Sequence, residues 1–281
     1  MSKVSLLSNV IKAMERWSPL ALADHSWDNV GLLVENPCPR PNANKVFLTI
    51  DLTEETLQEA INNPEVGVIV AYHPPIFSKL KQLTLSDIKQ SIVLKTIANG
   101  LSIYSPHSAL DNCVSGINDW LSKGLGGSGK ADPIKLYDNP PVGQEGTGSG
   151  IIFTYDQPKP LDQVISSIKS HLKLNHVRLA TSSAHKQNNL IKTVSICAGS
   201  GSSVVMPSTA DLYFTGEMSH HDVLAAVAKG TSVVLCEHTN TERGYLEAVL
   251  KPKLTTLLSD EGVDGVEVIV SKVDEDPLKI V

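Results

Sequence analysis

The chain alternates short apolar runs with amphipathic stretches. Val4, Leu7, Ile11 and Met14 recur at three- and four-residue spacing, which predicts an opening helix with one buried stripe. Val46 to Leu52 is a nearly continuous apolar run and reads as a buried strand. Thr53 then caps a helix whose first turn carries Glu54 and Glu55, where the helix dipole favours acids. Val66 to Ala71 is a second buried strand, stopped by Pro74 and Pro75. Ser86 is placed to cap a helix ending at Gly100, and Leu101 to Tyr104 reads as a short strand. A helix around Ile117, Trp120 and Leu121 closes this series.

Residues 124–129 and 139–150 are rich in Gly, Pro and Ser and read as connections. A second series follows. Its expected strands are 151–155, 176–181, 193–198, 211–214, 233–236 and 266–272. Its expected helices carry Val164, Ile168 and Leu172, start at Ser219, and start near Thr241. Alternation of this kind predicts an α/β fold with mainly parallel sheets.

Composition narrows the picture. Of 281 residues, 41% are apolar but only 5% aromatic, so the core must be mostly Val, Ile, Leu and Ala. A net charge of −6 argues against direct binding to nucleic acid, which needs clustered Lys and Arg. The four cysteines form no C-x-x-C pair and read as free thiols in a reducing compartment. No stretch approaches the roughly 18 apolar residues that span a bilayer. Residues 1–17 lack the apolar run of a secretion signal and carry Glu15, unlike a transit peptide. The expectation is a cytoplasmic protein, with a nuclear or mitochondrial pool left open.

Ligand-type residues collect where predicted strands end, which is where α/β sheets bind ligands. Tyr72 and His73 end one strand, and His107 and Asp111 follow another. Glu217, His220, His221 and Asp222 follow a third, and Glu237, His238 and Glu242 a fourth. Mixed imidazole and carboxylate donors suit Zn, Mn, Fe, Co or Ni. His238 and Glu242 are four apart at an expected helix start, so both can face one point. His107 and Asp111 share that spacing.

These motifs resemble the NGG-interacting-factor-three family, some bacterial members of which carry the name GTP cyclohydrolase I type 2. The resemblance runs from W-D-N-V-G-L-L-V at Trp27 to E-R-G at Glu242. Between them lie Y-H-P-P-I-F, S-P-H-S-A-L-D, C-A-G-S-G, T-G-E-M-S-H-H-D and E-H-T-N-T-E-R. It implies two interlinked α/β domains, residues 1–125 with 236–281 and residues 126–235, and a dinuclear metal cleft between them. It also implies a homo-oligomer, in the form of a hexameric ring. By position, His73, Asp111, His238 and Glu242 fall on the family's metal ligands, with Glu242 as the bridge. Tyr72 stands where many bacterial relatives have a further ligand histidine, so the resemblance implies one or two divalent ions here. The chain is too short for the inserted middle domain of some members.

Further residues have more than one reading. Gly199, Ser200 and Gly201 follow a strand, either as a tight exit turn or as a backbone cradle for phosphate. With Tyr72 they are the candidate substrate contacts. His220 and His221, about 100° apart on one helix, are candidate acid–base groups together with His107, which would orient Asp111 or bound water. Asp51 reads as a plain helix entry or an approach to the cleft. Trp27 reads as a packing anchor, and Asp28 and Asn29 as turn residues. His25, His171, His176 and His185 read as surface residues. Two functions fit: a metal-dependent hydrolase of a nucleotide or other phosphorylated small molecule, or a regulatory factor that binds a transcription-related protein and carries a structural or vestigial metal site.

Overall fold

The computed structural model describes residues 5–263 and 265–279. Val4, placed above in the first helix, lies outside them. In chain order the elements begin with α1 (Leu6–Trp17), β1 (Gly31–Val34), β2 (Lys45–Thr49), α2 (Glu54–Asn62) and β3 (Val66–Ala71). Then come α3 (Ile88–Ala98), β4 (Ser102–Ser105), α4 (His107–Asn112), α5 (Ile117–Lys123), β5 (Gly129–Leu136), β6 (Gly148–Pro160) and α6 (Leu161–Leu172). Next are β7 (Arg178–Ala180), α7 (Ser183–Gln187), β8 (Leu190–Ser200), α8 (Ser202–Val205), β9 (Leu212–Glu217), α9 (His220–Ala228) and β10 (Ser232–Leu235). The chain ends with α10 (Arg243–Tyr245), α11 (Lys251–Asp260) and β11 (Glu267–Val270). Two compact units result. One comprises the residues up to Leu110 with Tyr245–Glu275, the other Asp111–Gly244 with the residues from Asp276.

The first unit is built on a five-stranded sheet, ordered β1-β4-β3-β2-β11. Its strands are parallel except β1, which pairs antiparallel with β4 at the edge. Val68, Ile69, Val70 and Ala71 are all buried in sequence, so both faces of β3 are covered. Each buried Val or Ile there contributes roughly 1.5–3 kcal/mol through burial. Phe47, Ile69 and Ile103 share a core with Leu57 of α2 and with Ile92 and Val93 of α3. The expected cap of α2 is present: Thr53 accepts the Thr56 N–H, and the Thr56 hydroxyl accepts the Thr53 N–H at 2.8 Å. The cap of α3 is Asp87, not Ser86. The Asp87 carboxylate takes the Gln90 N–H at 2.9 Å, while the Ser86 hydroxyl pairs with that of Thr84. Arg40 closes the other end of α2. Its guanidinium reaches the carbonyls of Ala60, Ile61 and Asn63, and also those of Val66 and Asn99.

The second unit carries a six-stranded sheet, ordered β5-β6-β8-β9-β10-β7. Only β8, β9 and β10 run parallel, because α8 and α9 provide crossovers between them. The outer pairings are antiparallel, so this sheet is mixed. Strands β1 and β5 have no counterpart in the sequence reading. Both are edge strands, and β5 is largely exposed. Two histidines read as surface residues are not. His185 is buried, its Nδ1 2.8 Å from the Ser232 hydroxyl and 3.1 Å from that of Ser182. His171 is half-buried against Trp120, with ring centroids 4.3 Å apart. All four cysteines are free. Among the described residues, no helix is long and apolar enough to cross a membrane.

Candidate metal centre

In the first unit the ligand-type residues lie just past the carboxyl ends of β2, β3 and β4. His73 follows β3 by two residues, and its Nδ1 donates to Asp51, two residues past β2, at 3.0 Å. His107 opens α4 directly after β4, at φ +31°, a value non-glycine residues seldom adopt. Its Nδ1 donates to Asp28 at 2.6 Å. The second Asp28 oxygen accepts from the N–H and hydroxyl of Ser108. Burial pushes the Asp28 carboxyl up, but its bonds to His107 and Ser108 and the His107 charge together hold it below its ordinary value. A carboxylate on Nδ1 fixes the tautomer and orientation of each ring and presents Nε2 as the donor, a recurrent arrangement behind metal-binding histidines.

Tyr72, read as a substrate contact, is buried, with its ring 4.9 Å from that of His73 and 5.4 Å from that of His107. The two histidine rings are 5.3 Å apart. Asp28 and Asp51 are therefore partners of histidines rather than plain turn and helix-entry residues. Trp27 corrects another reading: it is 52% exposed, so it is no packing anchor.

In the second unit the corresponding ends are those of β8, β9 and β10. His238 follows β10, and its Nδ1 donates to Glu217, the last residue of β9, at 2.8 Å. A 3₁₀ turn, Thr239–Thr241, then carries the chain round to Glu242, whose Oε1 lies 3.5 Å from His238 Nε2. The expected regular helix from Thr241 is instead this tight turn, α10 and a π-helical turn at Leu246–Leu250 leading into α11. The convergence of His238 and Glu242 survives the change. Glu242 is only 1% exposed. The donor chemistry, imidazole nitrogen with carboxylate oxygen, fits a borderline transition metal.

Gly199 closes over this pair. It sits at φ +59°, and a β-carbon there would lie 2.7 Å from both Glu242 Oε1 and His238 Nε2. Two threonines lock the turn. Thr241 accepts the Gly199 N–H at 2.8 Å and donates to the His238 carbonyl. Thr215 accepts the Gly201 N–H at 3.1 Å and donates to the Gly199 carbonyl. The N–H groups of Gly199 and Gly201 are thus engaged inside the protein, which favours the exit-turn reading over a backbone phosphate cradle. Ser200 between them is exposed.

Asp111 lies one turn after His107 on α4 and is partly buried. Burial, then the charges of Asp111 and Glu242, push the Cys197 thiol far above its ordinary value, so both carboxylates lie near it while the thiol stays protonated. Asn118 links α5 to this region, donating to the Asp111 carbonyl and accepting the Ala198 N–H. His220 and His221 are the first residues of α9, both exposed, with rings 5.5 Å apart.

Comparison with solved structures defines the fold first. A Bacillus cereus protein related to NIF3 shares the fold over 100% of both chains with a TM-score of 0.83, at 19% identity. A Staphylococcus aureus protein, SA1388, matches with a TM-score of 0.81 over 98% of this chain and 99% of its own, at 23% identity. The family follows from sequence: the Duf34/NIF3 (NGG1p interacting factor 3) model matches residues 5–277, and this chain belongs to that family. The Schizosaccharomyces pombe protein NIF3 homolog is 48% identical over 99% of each chain. The Saccharomyces cerevisiae NGG1-interacting factor 3 is 38% identical, covering 98% of this chain and 96% of its own.

Proposed function

We propose that His73 in the first unit and His238 and Glu242 in the second are donors to divalent transition metal with which this protein hydrolyses a nucleotide or another phosphorylated small molecule. One observation carries the reading: His73, His107 and His238 each give Nδ1 to a carboxylate, which readies Nε2 for a metal. His107 and Asp111 are the donors we assign to a second position, beside Tyr72. A divalent ion held by these residues would supply Lewis-acid polarisation of the phosphoryl group whose phosphorus is attacked. The chain's own groups do the rest. Asp51, Asp28 and Glu217 hold the three imidazoles in one tautomer, Glu242 supplies buried negative charge, and Ser200 contacts substrate. His220 or His221 moves the proton. We further propose that the protein works as a homo-oligomer.

The test is elemental analysis of tag-free protein combined with a broad phosphatase and nucleotide screen. Retained metal with chelator-sensitive turnover supports the proposal. Retained metal without any turnover favours a second reading, in which the site is structural and the protein binds a transcription-related partner. The name of the Saccharomyces cerevisiae relative, NGG1-interacting factor 3, speaks for that reading. Partner association that survives Glu242→Ala would support it.

A further inference from the structure

Trp17 and Trp120 are buried at 6% and 8% exposure, whereas Trp27 is 52% exposed. Beside it, Phe77 is 46% exposed. Their ring centroids are 6.2 Å apart and the planes are inclined by 43°, so the two rings form an open wedge rather than a closed stack. Both rings meet His107 edge-on, Trp27 at 5.6 Å and Phe77 at 6.4 Å. His107 is the histidine whose ring also touches those of Tyr72 and His73. The wedge therefore continues directly from the candidate metal donors of the first unit.

The loops that carry the two rings are fixed. Asp28, next to Trp27, is anchored by His107 and Ser108. The Asn29 side-chain amide donates to the Ile76 carbonyl, which ties the Trp27 loop to the residue just before Phe77. Two large aromatic side chains, each about half exposed, are thus carried on anchored loops. That arrangement forgoes burial, yet it suits a planar ligand, because little conformational entropy remains to be lost on stacking.

We propose that Trp27 and Phe77 form a stacking platform for a planar heteroaromatic ring of the substrate, a nucleobase or a ring of similar size. This deepens the metal-dependent reading and rests on it for the fate of the substrate's other end. Stacking recognises a ring by area, so purines should bind more tightly than pyrimidines, and a sugar phosphate without a base should bind least.

The experiment is calorimetric titration of the full chain with GMP, CMP and ribose 5-phosphate, before and after loading with Mn or Zn, alongside tryptophan fluorescence. The expected order is GMP, CMP, ribose 5-phosphate, with quenching of the exposed indole by GMP. Phe77→Leu and Trp27→Leu should each weaken GMP about 5- to 100-fold and leave ribose 5-phosphate unchanged. Trp27→Phe should recover part of the loss, which a merely misfolded loop would not. Equal binding of all three probes, or binding of none, overturns the platform. So does emission that shifts on dilution but ignores nucleotide, because a second copy of the chain would then be covering the ring. Metal content separates the two ideas. Base-selective quenching in protein that retains no metal keeps the platform and removes the metal reading. Retained metal without base selectivity does the reverse.

Discussion

A β-carbon added to Gly199 would lie 2.7 Å from the Nε2 of His238, the atom that faces Glu242. The atoms it would meet are the donor ends of His238 and Glu242 themselves, so those side chains must shift, and φ +59° adds strain for any L-residue. Gly199→Ala should therefore lower metal affinity at least about 10-fold, a loss of the size seen when a ligand's support is disturbed. Isothermal titration with Zn checks this. Unchanged affinity would mean that His238 Nε2 is not a donor.

Glu217 and Asp51 act on metal through the histidines they hold. Glu217→Gln and Asp51→Asn keep size and hydrogen bonding but remove the charge behind the ring. Each should reduce metal affinity about 10- to 100-fold. Thermal melting of the metal-free variants should stay close to that of the parent, because Glu217 and Asp51 are substantially exposed. A large melting shift with normal metal uptake would make these pairs structural.

Much of the architecture is legible in the sequence because burial leaves a trace there. The run Val66–Ala71 is apolar at nearly every position because β3 is covered on both faces. Thr53 and Ser219 announce their helices because each cap bond spans three residues. Strand β5 is silent because it is an exposed edge containing Gly129 and Pro133 and resembles a connection. At the site, the strand-end histidines stand out by type and place. Their carboxylate partners do not: Asp28 meets His107 across 79 residues of chain and Asp51 meets His73 across 22. Only the packing of four strand ends, the start of β1 and the ends of β2, β3 and β4, brings them together. The burial of His185 is silent for a similar reason, since its partner Ser232 is 47 residues away in the chain.

Arg40 holds the first unit together at a point remote from the chemistry. Its guanidinium serves five carbonyls, including Ala60 and Ile61 in the last turn of α2. Arg40→Met leaves those acceptors without their cation and should cost roughly 2–4 kcal/mol in urea unfolding. Arg40→Lys should recover little, because one ammonium cannot span the same set. A loss below about 0.5 kcal/mol would show that water replaces the guanidinium at little cost.

His171 gives the fold a pH dependence. Burial lowers its pKa below 6.5, against the opposing bond to the Trp120 backbone, and its Nε2 is buried with no hydrogen-bond partner. The unfolded chain therefore takes up this proton first. The contribution to stability is full above about pH 6.5 and is lost as pH falls through the folded value. Calorimetry at pH 7.5 and 5 should show a melting temperature that falls with pH, and His171→Leu should flatten the fall. Equal slopes in both proteins would remove His171 as a cause.

The proposed function depends on transition-metal binding by Glu242 and the carboxylate-held histidines. The most direct measurement is the metal content of tag-free protein after gel filtration, for the parent and for Glu242→Ala, following reconstitution with Zn, Mn, Fe, Co and Ni in turn. Close to one or two equivalents of at least one metal are expected in the parent, with most of it lost in the variant. Metal at background in the parent, or equal content in both proteins, would contradict metal binding through these residues.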